Sequence, residues 1–176
     1  METTETVIAS HPFLRGLGIE VLPMLARAAT LQHYGVGELI FQERREADRL
    51  YLLQHGHVAL EAFVPGRGTV VLQTLGPGEA LGWSWLFPPH RWQFSARSVD
   101  ATQIISFDAA RLRELAEEHP DFGRELVTRM AQVLLARLQA TRTKLEEFHY
   151  PGSQGRIDDC LTEPDEEGEP TRQPLR

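Results

Sequence analysis

Between residues 31 and 107, apolar positions come in short stretches, LQHY, ELIF, RLYLLQ, HVALEAFV, TVVLQTL, WQFSARS and QIISF. They are separated by Gly35/Gly37, Gly56, Pro65-Gly66-Arg67-Gly68 and Gly76-Pro77-Gly78. Breaks at about every eight to twelve residues are the spacing of strands in a barrel, roll or sandwich, so an antiparallel β core is expected from about Leu31 to Phe107. Before it, His11 to Thr30 carries apolar residues at a helical spacing that Gly16, Gly18 and Pro23 interrupt, which predicts short helices. After it, ARLRELAEEH reads as a short helix beginning at Asp108, and Pro120 is placed to open a second one, because a missing N–H costs nothing in a first turn. Along that second helix Val127, Met130, Leu134, Leu138, Thr141, Leu145 and Phe148 recur at steps of three and four. The predicted fold class is mainly β with helices (α+β): an antiparallel double-stranded β-roll, jelly-roll-like, with short N-terminal helices and a long C-terminal helix.

A helix of some seven turns packs on its own β core only near its start. The rest of the seam then calls for a partner helix, most simply a second copy in a homodimer. The alternative is that the whole seam lies on its own domain.

Composition changes this picture at the C-terminal end. From His149 the chain holds four prolines, three basic and seven acidic residues and has no hydrophobic period. Such a stretch buries too little to offset ordering entropy, so 149–176 is expected to be a disordered acidic tail beyond a folded body of 8–148. A net charge of −7 argues against a protein held to nucleic acid by a general basic field. A single cysteine, Cys160, excludes an intramolecular disulfide and a multi-thiol zinc site. No apolar run approaches the roughly 18 residues of a membrane span, and METTETVIAS lacks the features of a signal peptide; a cytoplasmic location is the expectation.

Three strings in order carry a family resemblance: Gly37-Glu38-Leu39-Ile40-Phe41-Gln42-Glu43, then Ala47 to Val58 (ADRLYLLQHGHV), then Leu75-Gly76-Pro77-Gly78-Glu79-Ala80-Leu81-Gly82. Together they resemble the β-roll core of cyclic-nucleotide-binding domains of the catabolite activator protein type, over about residues 10 to 148. The resemblance implies a non-enzymatic sensor in which a cyclic nucleotide (cAMP or cGMP) lies inside the roll and repositions the C-terminal helices. In that family a cassette after the glycine turn supplies backbone N–H groups, a Glu for the ribose hydroxyl, and an Arg for the cyclic phosphate. An anion needs amide donors and a guanidinium, and a hydroxyl needs an acceptor.

Here the cassette reads GWSWLFPPHRWQFSAR from Gly82 to Arg97, and it departs from that pattern. With Gly82 on the cassette glycine, Trp83 stands where the family has its Glu. The phosphate Arg falls between His90 and Trp92, according to where the loop gap is placed. Strand alternation puts Trp92, Phe94 and Ala96 on one face and Arg91, Gln93, Ser95 and Arg97 on the other. Either Trp92 replaces the arginine and Arg91 points away, or the chain is still looping at Arg91 and its guanidinium reaches the cavity. The aromatics then either fill a vacated pocket, leaving a ligand-free dimeric adaptor, or line a remodelled one that takes a cyclic nucleotide or another small flat anion. The candidate ligand residues are Gly82, Trp83, Ser84, Arg91, Trp92 and Thr141. Thr141 enters because Arg137 to Thr141 resembles the family's base-contacting stretch.

The resemblance would ordinarily continue into a helix-turn-helix, but no pair of periodic helices follows Phe148, so direct nucleic-acid binding is not expected and a protein partner is. His55 and His57 flank Gly56 with no third ligand near in sequence, and Ser84 is in no nucleophile elbow, so neither a metal site nor an enzyme is expected. Arg124, Arg129, Arg137, Arg142 and Lys144, interspersed with acids, read as a solvated helix face.

Overall fold

The computed structural model describes residues 4–18 and 20–149. One sheet holds β1 (Ala29–Tyr34), β8 (Thr102–Asp108), β3 (Arg49–His55) and β6 (Ala80–Leu81), in that order. The other holds β2 (Leu39–Phe41), β7 (Ser95–Ser98), β4 (Val58–Val64) and β5 (Gly68–Leu75). Every pairing is antiparallel, so consecutive glycine-turned strands wind between two facing sheets as a roll. The expected β core is found, with strands from Ala29 to Asp108. One strand goes beyond the expectation: Ala80–Leu81 is two residues long and offers no alternation to read. WQFSARS shortens to Ser95–Ser98, leaving Trp92 in the loop before β7.

Gly56 lies between β3 and β4 at φ +81°, and a Cβ there would sit 2.6 Å from the Ala101 carbonyl oxygen and from the Asp100 carboxylate, so only glycine fits this turn. β3 is buried on both faces from Leu50 to Leu53. The helices are α1 (Thr4–Ser10), α2 (Leu22–Ala28), α3 (Ala109–Glu118) and α4 (Pro120–His149); α2 and α3 pack on β8, the neighbour of β3, and α4 packs on β5 of the other sheet. α1 is one of the short N-terminal helices but lies before His11–Thr30, the stretch expected to hold them; its Val7 and Ile8 reach the core with Leu25 of α2. Asp108 caps α3 by accepting the Arg111 N–H at 2.9 Å, and α4 starts at Pro120 as its residue type predicts.

α4 divides its apolar residues between two directions. Phe122, Leu126 and Met130 are buried in the core, so Met130 leaves the seam assigned to a partner. Val127, Leu138 and Leu145 are more than half exposed, and Leu134 is half-buried. Phe148 lies outside the residues whose side chains are described, and 150–176 of the expected tail lies outside the described chain. No described helix is long and apolar enough to cross a membrane.

Candidate functional site

The cassette runs from the end of β6 to the start of β7. Gly82 turns it at φ +80°, and a Cβ on Gly82 would lie 2.6 and 2.8 Å from two ring carbons of Trp92. That close approach brings the Trp92 indole against the backbone, where it is 3% exposed. Its ring stacks on Phe41 of β2 with centroids 4.0 Å apart and lies 6.1 Å from the Tyr51 ring of β3. Burial also pushes the Tyr51 phenol pKa well up. The space between the two sheets beside Gly82 thus holds three aromatic rings, with the part-buried Arg49 two residues before Tyr51 on the same face of β3 and its Nη1 within 3.5 Å of Ser106 Oγ.

Two backbone segments clamp this arrangement. Trp92 N–H donates to the Arg45 carbonyl at 2.9 Å, Arg44 N–H to the Trp92 carbonyl at 2.8 Å, and Ala47 N–H to the His90 carbonyl at 2.8 Å. The ladder turns successive residues to opposite sides, so with Trp92 inside, Arg91 is outside. Its side chain is exposed and its Nη1 donates to the Arg44 carbonyl at 2.9 Å. Of the two orientations left open by the sequence, the structure has Trp92 inward and Arg91 outward.

Three successive residues after Gly82 carry buried polar atoms. Ser84 and Trp85 are 3% and 0% exposed, and Trp83 is half-buried with its ring edge-on to Phe94. Trp83 Nε1, Ser84 Oγ and Trp85 Nε1 are all buried without a hydrogen-bond partner. The Trp85 carbonyl, by contrast, accepts from His90 Nδ1 at 2.9 Å and from Arg113 Nη1 of α3 at 3.0 Å, which fixes the loop to the helix layer.

Thr141 is not brought to the cassette. It is exposed, and its hydroxyl donates to the Arg137 carbonyl one turn back. The residue of α4 that does reach the roll is Arg137, which corrects its reading as part of a solvated face. It is 9% exposed, and donates to Gln73 Oε1 at 3.0 Å, the Ala80 carbonyl at 2.9 Å and Glu79 Oε1 at 3.4 Å. Burial pulls its pKa down and the Glu79 carboxylate opposes that shift. Arg129 is likewise mostly buried, donating to the Phe13 and Arg15 carbonyls and to Glu125. The overlooked signal is spacing: Met130, Val133 and Arg137 follow at three and four, so Arg137 belongs to the inward face. His57 also has a partner the sequence hid, the Asp100 carboxylate at 2.6 Å, which holds the Asp100 pKa down. No group of three His, Cys, Asp or Glu suited to a metal exists among the described residues.

Known proteins share this architecture. A global transcriptional regulator of Mycobacterium tuberculosis, described as CRP-like and cAMP-activated, is 23% identical over 153 residues, covering 87% of this chain and 66% of that one. This chain therefore spans just under two thirds of that relative. A solved protein of Geobacter metallireducens, provisionally described as cyclic nucleotide-binding, is 30% identical and covers 78% of this chain and 98% of that one, at a TM-score of 0.65. A cyclic nucleotide-binding domain from Methylobacillus flagellatus superposes at a TM-score of 0.73, 17% identical, over 89% of this chain and 88% of that one. The family model for the cyclic nucleotide-binding domain matches residues 31–119, from β1 through α3 and just over half of the sequence, and this chain belongs to that family.

Proposed function

We propose that this chain is a non-enzymatic, cytoplasmic regulatory module whose roll no longer takes cAMP or cGMP with useful affinity, and which works through protein contacts, first with a second copy along α4. The observation that carries the reading is Trp92, stacked on Phe41 and pressed against Gly82 where a phosphate-binding guanidinium would be needed. A cyclic nucleotide brings one phosphodiester charge, and burying it without a guanidinium or several amides costs several kcal/mol, roughly the penalty of any unpaired ion. The exposed stripe of Val127, Leu138 and Leu145 supports the contact along α4, because the spacing suits helix pairing and this face is not spent on the roll.

Calorimetry with cAMP and cGMP tests this. Binding no tighter than about 100 μM, a free energy near −5.5 kcal/mol, is expected. Micromolar binding overturns the reading. If that binding also survives Arg91→Ala, then Arg91 is not its anion donor either.

A second reading has one observation in its favour. Trp83 Nε1, Ser84 Oγ and Trp85 Nε1 are three successive buried donors without acceptors, a costly state that a small flat ligand rich in acceptors would relieve. Under it the module is a sensor with a remodelled cassette, and a bound ligand would raise the melting temperature in proportion to the logarithm of its concentration.

A further inference from the structure

A cavity of about 470 Å³ lies on the flank of α4, away from the cassette aromatics, between that helix, the Pro12–Arg15 segment and the turn at Gly78–Ala80. We infer that it is a second ligand site, built for a small amphipathic carboxylate. The volume falls within the range of about 300–1,000 Å³ in which small-molecule sites occur. Phe13, Pro12, Val133 and Ala136 supply apolar wall, suited to a hydrocarbon or aromatic body.

Charge decides the polar end. The lining carries three arginines, Arg15, Arg129 and Arg137, against two carboxylates, Glu79 and Glu125. Glu125 is taken by Arg129 at 2.7 Å and Glu79 by Arg137 at 3.4 Å. Arg15 has no carboxylate opposite it in the lining, and its side chain is exposed at the rim. One negative charge held there, with its apolar body against Phe13 and Val133, completes the lining. A cation would meet a net positive wall, and a dianion would exceed the one guanidinium not already paired across the cavity.

Helix geometry keeps this site separate from the exposed apolar stripe. Arg129 and Leu138 are nine residues apart, so at about 100° per residue they point in roughly opposite directions. The cavity and the stripe therefore occupy opposite flanks of α4, and a molecule in one does not compete with a helix on the other. The same molecule would touch both segments that Arg129 ties together, Phe13–Arg15 and α4. Filling the cavity is then a direct way to act on the seating of the helix. The site stands whether or not the cassette binds anything.

The test uses the full chain with 8-anilinonaphthalene-1-sulfonate as a fluorescent aromatic anion and decanoate as a competing carboxylate. One saturable site per protomer, emptied by decanoate, is expected. Ala136→Trp, which fills the cavity from an exposed helix position, and Arg15→Glu, which reverses the rim charge, should each weaken it at least tenfold. Leu138→Glu, on the opposite flank, should leave it within twofold. If Ala136→Trp does not fold, Arg15→Glu decides the outcome by itself. Absence of saturable binding up to 1 mM of either anion overturns the inference, as does binding that ignores Arg15→Glu or disappears with Leu138→Glu.

Discussion

Gly82→Ala probes the contact on which the cassette is built. The first cost is conformational: at φ +80° an L-residue is in the left-handed region, worth about 1–2 kcal/mol against alanine. The second is steric. The new Cβ would lie 2.6 Å from Trp92 Cζ3 and 2.8 Å from Cη2, about 1 Å inside an ordinary carbon contact. Trp92 has no room to recoil, since its other face stacks on Phe41 at 4.0 Å and its backbone is held by Arg45 and Arg44. Forced overpacking of this kind costs about 1–3 kcal/mol, so the substitution should remove about 2–5 kcal/mol in total. Urea unfolding followed by far-ultraviolet circular dichroism at fixed protein concentration measures it. With a slope of about 1–3 kcal/mol per molar urea, the midpoint should fall by at least about 0.7 M with the slope unchanged. Trp92→Leu in the same background separates the terms: without the ring, Gly82→Ala should cost only the conformational part, a coupling of at least about 1 kcal/mol. Additivity within about 0.5 kcal/mol would refute this account, because the two positions would then not be in contact.

Arg137→Met keeps the bulk of the side chain but removes the donors to Gln73, Glu79 and Ala80, and should cost about 1–3 kcal/mol, since the part-exposed Glu79 can rehydrate; a variant as stable as the parent would show that the arginine does not hold α4 to the roll. His11 is buried as the neutral ring, Nε2–H donating to the Leu53 carbonyl at 3.0 Å and Nδ1 accepting from the Phe13 N–H at 3.2 Å, and burial pulls its pKa below 6.5. The unfolded chain therefore binds that proton first as pH falls, so the stability from His11 is complete above about pH 6.5 and is lost as pH drops toward the depressed folded value, at no more than about 1.4 kcal/mol per pH unit. Melting temperatures from pH 7.5 to 5.5 should fall less steeply in His11→Gln, and equal slopes would remove His11 from the account. Leu138→Glu puts a charge on a position that is 68% exposed in the single chain, so it should leave the protomer folded while converting a dimer to monomer in sedimentation; dimers that survive it and Leu134→Glu place the contact elsewhere.

The roll was legible because glycine and proline punctuate it: the turns at Gly56 and Gly76–Gly78 are fixed by backbone demands that only a few residue types meet. Period-two alternation also presented Trp92 and Ala96 as one face, and both are buried. It did not choose between the two orientations of Arg91, because that choice rests on the pairing of residues 44–47 with 90–92, a contact distant in sequence. Arg137 was misread for a related reason. A guanidinium on a charged helix is ordinarily solvated, and the Gln73, Glu79 and Ala80 groups that accept from it come from β5, β6 and the turn between them, some sixty residues earlier. α1 escaped notice because seven residues with two adjacent apolar positions show no helical period.

Among the residues of α4 whose side chains are described, Arg137 is the last to be buried in the roll; Leu138, Thr141 and Leu145 beyond it are exposed. The helix continues to His149, twelve residues farther, an arm of roughly 18 Å at 1.5 Å per residue. The guanidinium thus acts as a fulcrum and the distal turns as a pointer. A tilt of about 10° there, small enough for side chains to absorb without leaving their rotamers, swings an arm of this length by about 3 Å at its tip. Displacements too slight to matter inside the roll arrive at the end of α4 enlarged to more than half a helical turn, a step that a neighbouring surface can distinguish.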